Sequence, residues 1–319
     1  MADRAVPPGL RGGILILGAL LAVGAGAPLI ATSQPWVARE GGRLTAPALR
    51  VLFGGRAVRG PETRALLAAP VAHDPNYIDL GAILEPPSLR HWMGTDALGR
   101  DVLARLVHGA RVSLAVGLVA AALAMLVGVP LGAFAGFRGG VVDAVVSRAI
   151  EATLAVPVLL LALAVLSSAA GWLAALSDAT RVAVVVGLTG WMPVARYVRA
   201  EFLKLRRSDV VSAARALGAN DLRIMGRYVL PSAVAPVLVT AAFTVGGAIV
   251  VEAALSFLGL GVHPPTATWG SLLADAREQI RSAWWPAVFP ALALFLATVG
   301  CNLVAEGLRD LLDPRARRG

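Results

Sequence analysis

The chain has 319 residues, 57% of them hydrophobic and only 15% charged, with mean hydropathy +0.72. A soluble domain carries about 25% charged residues, so this balance excludes an ordinary soluble fold and points to an all-α protein that crosses a membrane several times. The net charge of +9 would suit nucleic acid, but basic loops between spans face an anionic leaflet or a cytosolic protein, so membrane lipid is expected as a partner and nucleic acid is not.

A helix needs about 20 apolar residues to cross the hydrocarbon core. Six stretches qualify or nearly do: 12–31, 112–136, 152–177, 182–195, 228–251 and 282–305. The first lacks a small-residue cleavage site and is long for a signal-peptide core, so it is read as a retained span. The fourth is short, bounded by Arg181 and Arg196. It crosses if both arginines snorkel and the helix runs past them, with Trp191 near the interface. Between the first two spans, residues 39–70 are rich in Gly, Pro and Arg and are expected to be an irregular excursion. Pro70, Pro75, Pro86 and Pro87 mark extended or turning chain, and a helical pattern from Asp101 to Arg111 leads into the second span.

Basic residues set the orientation. With the N-terminus inside, the inner segments hold Arg4, Arg11, Arg138, Arg148, eight basic residues between 196 and 227, then Arg309, Arg315, Arg317 and Arg318. The short outer loops hold Arg181, Arg277 and Arg281. Both termini are therefore expected to be cytoplasmic, as is the polar block SDVVSAARALGANDLRIMGRYVLP at 208–231.

Within that block Ser208 or Asp209 can cap a helix that stops at Gly218, and Asn220 or Asp221 can cap a second one over 221–229. Val210, Ala214 and Leu217 fall at i, i+4 and i+7, an apolar stripe. A helix of two turns is not stable alone in water. Its stripe packs either on this protein's own helix ends or in a groove on a separate cytosolic protein. Small Ala213 and flanking Arg207 and Arg215 suit close approach to an acidic rim.

The pattern S-A-A-x-x-x-G, nine residues, then Y-V-L-P resembles the EAA loop of permease subunits in bacterial ABC importers. It matches at Ala213, Ala214, Gly218, Leu230 and Pro231. Ser212 stands where many members have Glu, and Tyr228 where they have Ile. HWMGTDALGRDVLARLVHGARVSL (91–114), EAALSFLGLGVHPPTATWG (252–270) and NLVAEGLRDLLDPR (302–315) are similar to segments of the dipeptide, oligopeptide and nickel importer permeases, C-type subunit. The resemblance spans about residues 70–319 and is weakest at 32–69.

This resemblance implies a type I importer permease of six transmembrane helices, one N-terminal span plus a five-helix core. It implies a cytoplasmic tail and first span over 1–31, a periplasmic segment over 32–110, the core over 111–309 with a coupling loop at 196–231, and a cytoplasmic tail over 310–319. The expected site is an ATPase-docking loop comprising Val210, Ala213, Ala214, Arg215, Leu217, Gly218, Ala219, Asp221, Leu230 and Pro231. The expected partners are a homologous second permease, two cytosolic ATPase subunits and a periplasmic or lipid-anchored solute-binding protein. ATP and magnesium would sit on the ATPases, with no cofactor on this chain, and the location would be the bacterial cytoplasmic membrane. The cargo would be a short peptide, nickel or another small solute.

No catalytic group is expected here. The only lysine, Lys204, follows Leu203 rather than a glycine, so there is no phosphate-binding loop, and no G-x-S-x-G elbow occurs. Cys301 is the only cysteine, and the four histidines show no metal-ligand spacing. Glu151 is expected to pair with Arg148. Glu252 and Ser256, one turn apart at the outer end of the fifth span, are candidates for a gate or translocation path, with structural capping as the alternative. Asp96, Arg100 and Asp101 are expected to form a local charge network, and Asn302 and Glu306 to pack between helices. A stand-alone secondary transporter or channel would need charged mid-span sites and inverted repeats. A membrane scaffold that only recruits a soluble protein is a third possibility.

Overall fold

The computed structural model describes residues 7–40, 43–52, 64–168 and 171–312. Arg4, Arg315, Arg317 and Arg318, residues 41–42 and 53–63 of the expected excursion, and most of the 310–319 tail lie outside the described residues. Helices α1 (Pro8–Ala25) and α2 (Ala27–Ile30) come first. A three-stranded antiparallel sheet follows, with β1 (Val37–Glu40), β2 (Arg43–Thr45) and, after the short helix α3 (Pro47–Leu52), β3 (Arg64–Leu67). Strand order is β2-β1-β3, with Ala38 opposite both Thr45 and Ala65. The described part of 39–70 is thus ordered rather than irregular, and the chain is mostly helical rather than all-α. The exposed leucines and charges of these strands conceal the alternation, whose one fully buried position is Ala38.

Beyond the sheet lie α4 (Val102–Arg138), α5 (Gly140–Leu154), α6 (Val158–Ser168), α7 (Asp178–Thr189) and α8 (Trp191–Leu205). Then come α9 (Asp209–Ala216), α10 (Asp221–Ile224), α11 (Leu230–Phe257), α12 (Trp269–Ala276) and α13 (Trp285–Leu312). Among the described residues, four helices are long and apolar enough to span a membrane: α1, α4, α13 and the continuous run Asp221–Phe257. A fifth span is possible if α5 and α6, bent by 89° at their junction, act as one.

Two apolar runs differ from expectation, and a missing N–H explains each. The third run is not one helix. Pro157 has no N–H and disfavours helix at Val156, so the chain breaks between α5 and α6. The fourth run does continue past Arg181 and Arg196, but as α7 and α8 with Gly190 between them. Pro193 cannot donate to Thr189, and Thr189 turns its hydroxyl onto Val185 O at 2.8 Å.

The chain forms two compact units. One comprises 7–17, Val116–Val251 and 297–312. Its main core joins Phe137, Val194, Val198, Phe202, Val211, Ile224 and Val229. Here α4 lies against α8 along Gly128, Gly132 and Gly136, one residue per turn on a single face. A Cβ on these glycines would strike the backbone oxygens of Trp191, Ala195 and Arg199 respectively. Absent side chains let the helices approach at backbone distance, as small residues do between membrane helices. Asn302 and Glu306 on α13 are exposed rather than packed between helices in this chain.

The other unit comprises Gly18–Ala115 and Glu252–Leu296, without the masked residues. Its core includes Val102, Ala283 and Trp285, with Trp285 Nε1 donating to Thr95 O at 3.0 Å.

Gly132→Val forces α4 away from α8 and should cost about 1–3 kcal/mol, the range for overpacking. Thermal unfolding in detergent should show a lowered Tm. Gly18→Ala, where nothing lies within 4 Å of the added carbon, should leave Tm unchanged.

Candidate functional site

The polar block forms one short helix and the root of a long one. Ser208 occupies the N-cap position of α9 without a side-chain cap bond, and Asp209 in the first turn suits the positive helix end. At the other end Gly218 adopts φ +79. Its N–H donates to Arg215 O at 3.0 Å, and the Ala219 N–H donates to Ala214 O at 3.1 Å. That pair of bonds is a Schellman stop, whose left-handed residue glycine adopts without strain. Asn220 then accepts from the Arg223 N–H at 2.8 Å and starts α10.

The expected second helix over 221–229 does not end before the span. It runs on through a π-turn, Met225–Val229, into α11, and the Leu230 N–H donates to Met225 O five residues back. Pro231 accounts for the widened turn. It has no proton for the Arg227 carbonyl, and its ring would crowd that carbonyl in a regular helix.

The stripe of Val210, Ala214 and Leu217 divides between two faces. Val211 and Ala214 are buried, 2% and 6% exposed, in the core with Phe202 and Ile224. Val210 and Leu217 stay outside at 58% and 88%. At about 100° per residue, Val210 and Leu217 lie nearly in line, and the inward-facing pair sits to one side of them. Ala213, Arg215, Asp221, Leu230 and Pro231 are also exposed, and Ala219 is half-buried. Arg215 Nη2 lies 3.3 Å from Asp221 Oδ1 and links α9 to α10 across the Gly218 turn. So α9 is anchored by one face and offers another.

The same unit encloses a cavity of about 1250 Å³. Thr153, Leu154 and Pro157 at the α5–α6 break line one side, with α8, α11 and the end of α13 around it. Its serine and threonine hydroxyls are engaged with their own helices. Thr153 donates to Ala149 O, Thr189 to Val185 O, Ser232 to Tyr228 O, Thr240 to Pro236 O and Thr244 to Thr240 O, all at 2.7–2.9 Å. Charge on the lining comes from Glu201, Lys204 and Arg309, and Lys204 Nζ is 3.1 Å from Glu201 Oε1. The wall therefore offers apolar surface and weak acceptors rather than a fixed set of donors.

Glu252 and Ser256, expected at a gate, do not line this cavity. Glu252 is 0% exposed. Its carboxylate accepts from Ser113 at 3.0 Å and from Ser256 at 2.8 Å. Ser113 Oγ in turn accepts from the Trp269 N–H at 3.1 Å, and Ser256 Oγ from the Val262 N–H at 3.2 Å. The group ties α4, the end of α11 and the start of α12 together, which is the geometry of a structural brace. Sequence gave no sign of Ser113, 139 residues away.

The motif GTDALGRD forms a local turn held by charge. Asp96 Oδ1 accepts the Leu98 and Arg100 N–H groups, and Asp101 caps α4 through the Ala104 N–H at 2.7 Å. Arg100 Nε lies 2.7 Å from Asp96, and Arg100 and Arg105 reach Asp275 at 2.9 and 3.1 Å. Arg105 and Asp275 extend the expected network. The lone acid of the α12 segment beside unmatched arginines was the available signal.

His91 Nδ1 is 2.8 Å from Asp101 Oδ2, and the His73 ring stacks on it at 4.5 Å. Both Asp101 oxygens are thereby engaged, and one ligand atom each of His73, His91 and Asp101 lie within 4.8 Å of one another. Arg148 and Glu151 do pair, at 3.2 Å in the open. Asp143 instead pairs with Arg199 between helices, a contact the sequence reading missed.

Residues 128–318 match the family described as binding-protein-dependent transport system inner membrane component. The chain belongs to that family. It is thus an inner membrane permease of the ABC-importer type. A putative peptide transport system permease of Brucella suis is 42% identical over 246 residues, covering 76% of this chain and 80% of the relative. The glutathione transport system permease GsiD of Pectobacterium atrosepticum is 38% identical, covering 76% and 78%. The oligopeptide permease OppC of Bacillus subtilis is 39% identical, covering 73% and 75%. Inward-facing MetNI, a methionine ABC transporter, superposes with a TM-score of 0.54 at 18% identity over 66% of the permease and 98% of that chain, a likeness of fold.

Glu252→Ala leaves two buried hydroxyls without their acceptor. It should destabilise the permease by about 1–3 kcal/mol, read as a fall in Tm. Glu252→Gln, which can still accept, should lose less.

Proposed function

We propose that the permease is one of two homologous subunits of an ATP-driven importer in the bacterial cytoplasmic membrane, and that its loop 196–231 seats a cytosolic ATPase. The observation that carries this reading is the exposure of Val210 and Leu217 beside an adjacent strip of the same helix that is buried in the chain's own core. A partner groove would cover these two side chains, while Ala213 permits close approach and Arg215 meets an acidic rim. ATP and magnesium belong to the ATPase, and this chain holds no cofactor. ATPase closure would move α9, and α8 and α11 on either side would carry the motion into the membrane as rigid bodies.

In this reading six segments cross the membrane: α1, α4, α5–α6 as a bent span, α7–α8, α11 and α13. Both termini are cytoplasmic. The chain divides into a tail and first span (1–31), a periplasmic segment (32–110), a five-helix core (111–309) and a tail (310–319). The periplasmic face would receive a solute-binding protein. Glu252 and Ser256 brace the outer part of the core.

Short peptides are the proposed cargo. Relatives named for peptide transport support this, as does a cavity wall whose serine and threonine hydroxyls are already engaged. Such a wall tolerates varied side chains and leaves selection to the binding protein. A stand-alone transporter would need charged groups at mid-cavity, and the lining charges are confined to Glu201, Lys204 and Arg309.

Leu217→Asp places a charge in the proposed contact. Recovery of ATPase with the purified complex should fall at least tenfold, while membrane insertion is unchanged. Gly218→Val forces a β-branched residue into the left-handed region, a cost of about 1–2 kcal/mol, and should weaken docking as well. Leu217→Cys should label in inverted vesicles and not in right-side-out ones. Labelling from the outside, or normal recovery of ATPase with Leu217→Asp, overturns the assignment.

A further inference from the structure

We propose that Asp143 and Arg199 are positioning residues that transmit movement of α9 to the cavity wall, an inference that rests on the docking reading above. Arg199 on α8 grips Asp143 on α5 with both prongs of its guanidinium. Nε faces Oδ1, and Nη2 lies 2.9 Å from Oδ2. The partners are 56 residues apart in sequence, and their side chains are 28% and 20% exposed. A two-pronged pair fixes orientation as well as separation. The packing between these helices is apolar, through Ile150, Met192 and Ala195, and such a surface permits sliding; Glu151 of α5 adds only an electrostatic attraction to Arg199.

The pair lies between two rigid parts. On one side, Val198 and Phe202 of α8 share a core with Val211 and Ala214, so α8 and α9 move together. Arg206, at the end of α8, also donates to Arg138 O at 3.2 Å and holds the turn between α4 and α5. On the other side, α5 ends in Thr153 and Leu154 on the cavity wall, immediately before the break at Pro157. A shift of α9 therefore displaces α8, and the ion pair draws α5 with it. The Arg148–Glu151 pair cannot substitute, because it lies within α5 and is exposed at both ends.

The test uses the assembled importer with Cys301→Ala and Leu154→Cys, labelled by a water-soluble maleimide with and without ATP and vanadate. Nucleotide trapping should change the labelling rate at least fivefold. With Asp143→Asn the ATPases should remain bound in equal amount, and the response should shrink below twofold. The exchange Asp143→Arg with Arg199→Asp should restore most of it, whereas Arg199→Lys, which keeps the charge but not the fork, should restore little. An undiminished response in Asp143→Asn overturns the proposal, as does an exchange variant no better than the single ones. Loss of ATPase from Asp143→Asn alone also overturns it, since the pair would then serve docking rather than transmission. Failure of the parent complex to hold ATPase overturns the docking reading itself.

Discussion

Eight residues of helix in water have no stability of their own, and the molecule's working end depends on how α9 escapes that limit. Its inward face, Val211 and Ala214, is buried against α4, α8 and α10. That burial makes α9 an extension of the membrane helices rather than a loop. It also leaves Val210 and Leu217 facing out at no cost to the fold, because they contribute nothing to holding the helix in place. An amphipathic element with a single apolar face must choose between its own protein and a partner. With two adjacent strips, α9 is held by one, and the other is left for the partner proposed above.

The ends of α9 serve the same purpose. Gly218 stops the helix by a defined pair of bonds, and the π-turn before Pro231 passes the chain into α11 without a break. Force applied at Leu217 therefore meets rigid structure on both sides, with α8 before it and α11 after it. Pro157 and Gly190 interrupt the apolar runs elsewhere, where the chain changes direction beside the cavity. Backbone groups freed by such interruptions must find partners in the absence of water, and Thr189 and Thr240 show how hydroxyls interact with neighbouring carbonyls.

What could be read from the sequence followed local chemistry. The helix stop at Gly218, the cap at Asn220 and the Asp96–Arg100 pair each depend on residues within a few positions of one another, and each is legible. Apolar runs revealed the long helices because length and composition suffice. Val210, Ala214 and Leu217 share a helical spacing yet differ in burial, because periodicity gives the angle between side chains but not the direction of the core. Glu252 meets the same limit, since sequence alone leaves gate and structural cap both open. A lone acid in an apolar span is costly without partners; Ser256 stands one turn on in the same helix, but Ser113 comes from α4, which only the fold brings alongside. The small sheet escaped notice since its strands carry charges and exposed leucines on a short, one-sided ladder.

The Gly128–Gly132–Gly136 face and the Asp143–Arg199 pair play opposite parts on α8. The glycines bring α4 to backbone contact with α8, and tight packing of this kind resists any relative movement. The ion pair holds α5 to α8 through a directional fork at a half-buried site, so separation costs electrostatic energy and sliding changes its geometry at once. Thus α4, α8 and α9 form one body by packing, and α5 joins it by charge. A helix held by a specific pair can follow that body while its far end, at Leu154 and Pro157, reshapes the cavity. A helix held by packing alone would either move as one with the body or slip against it.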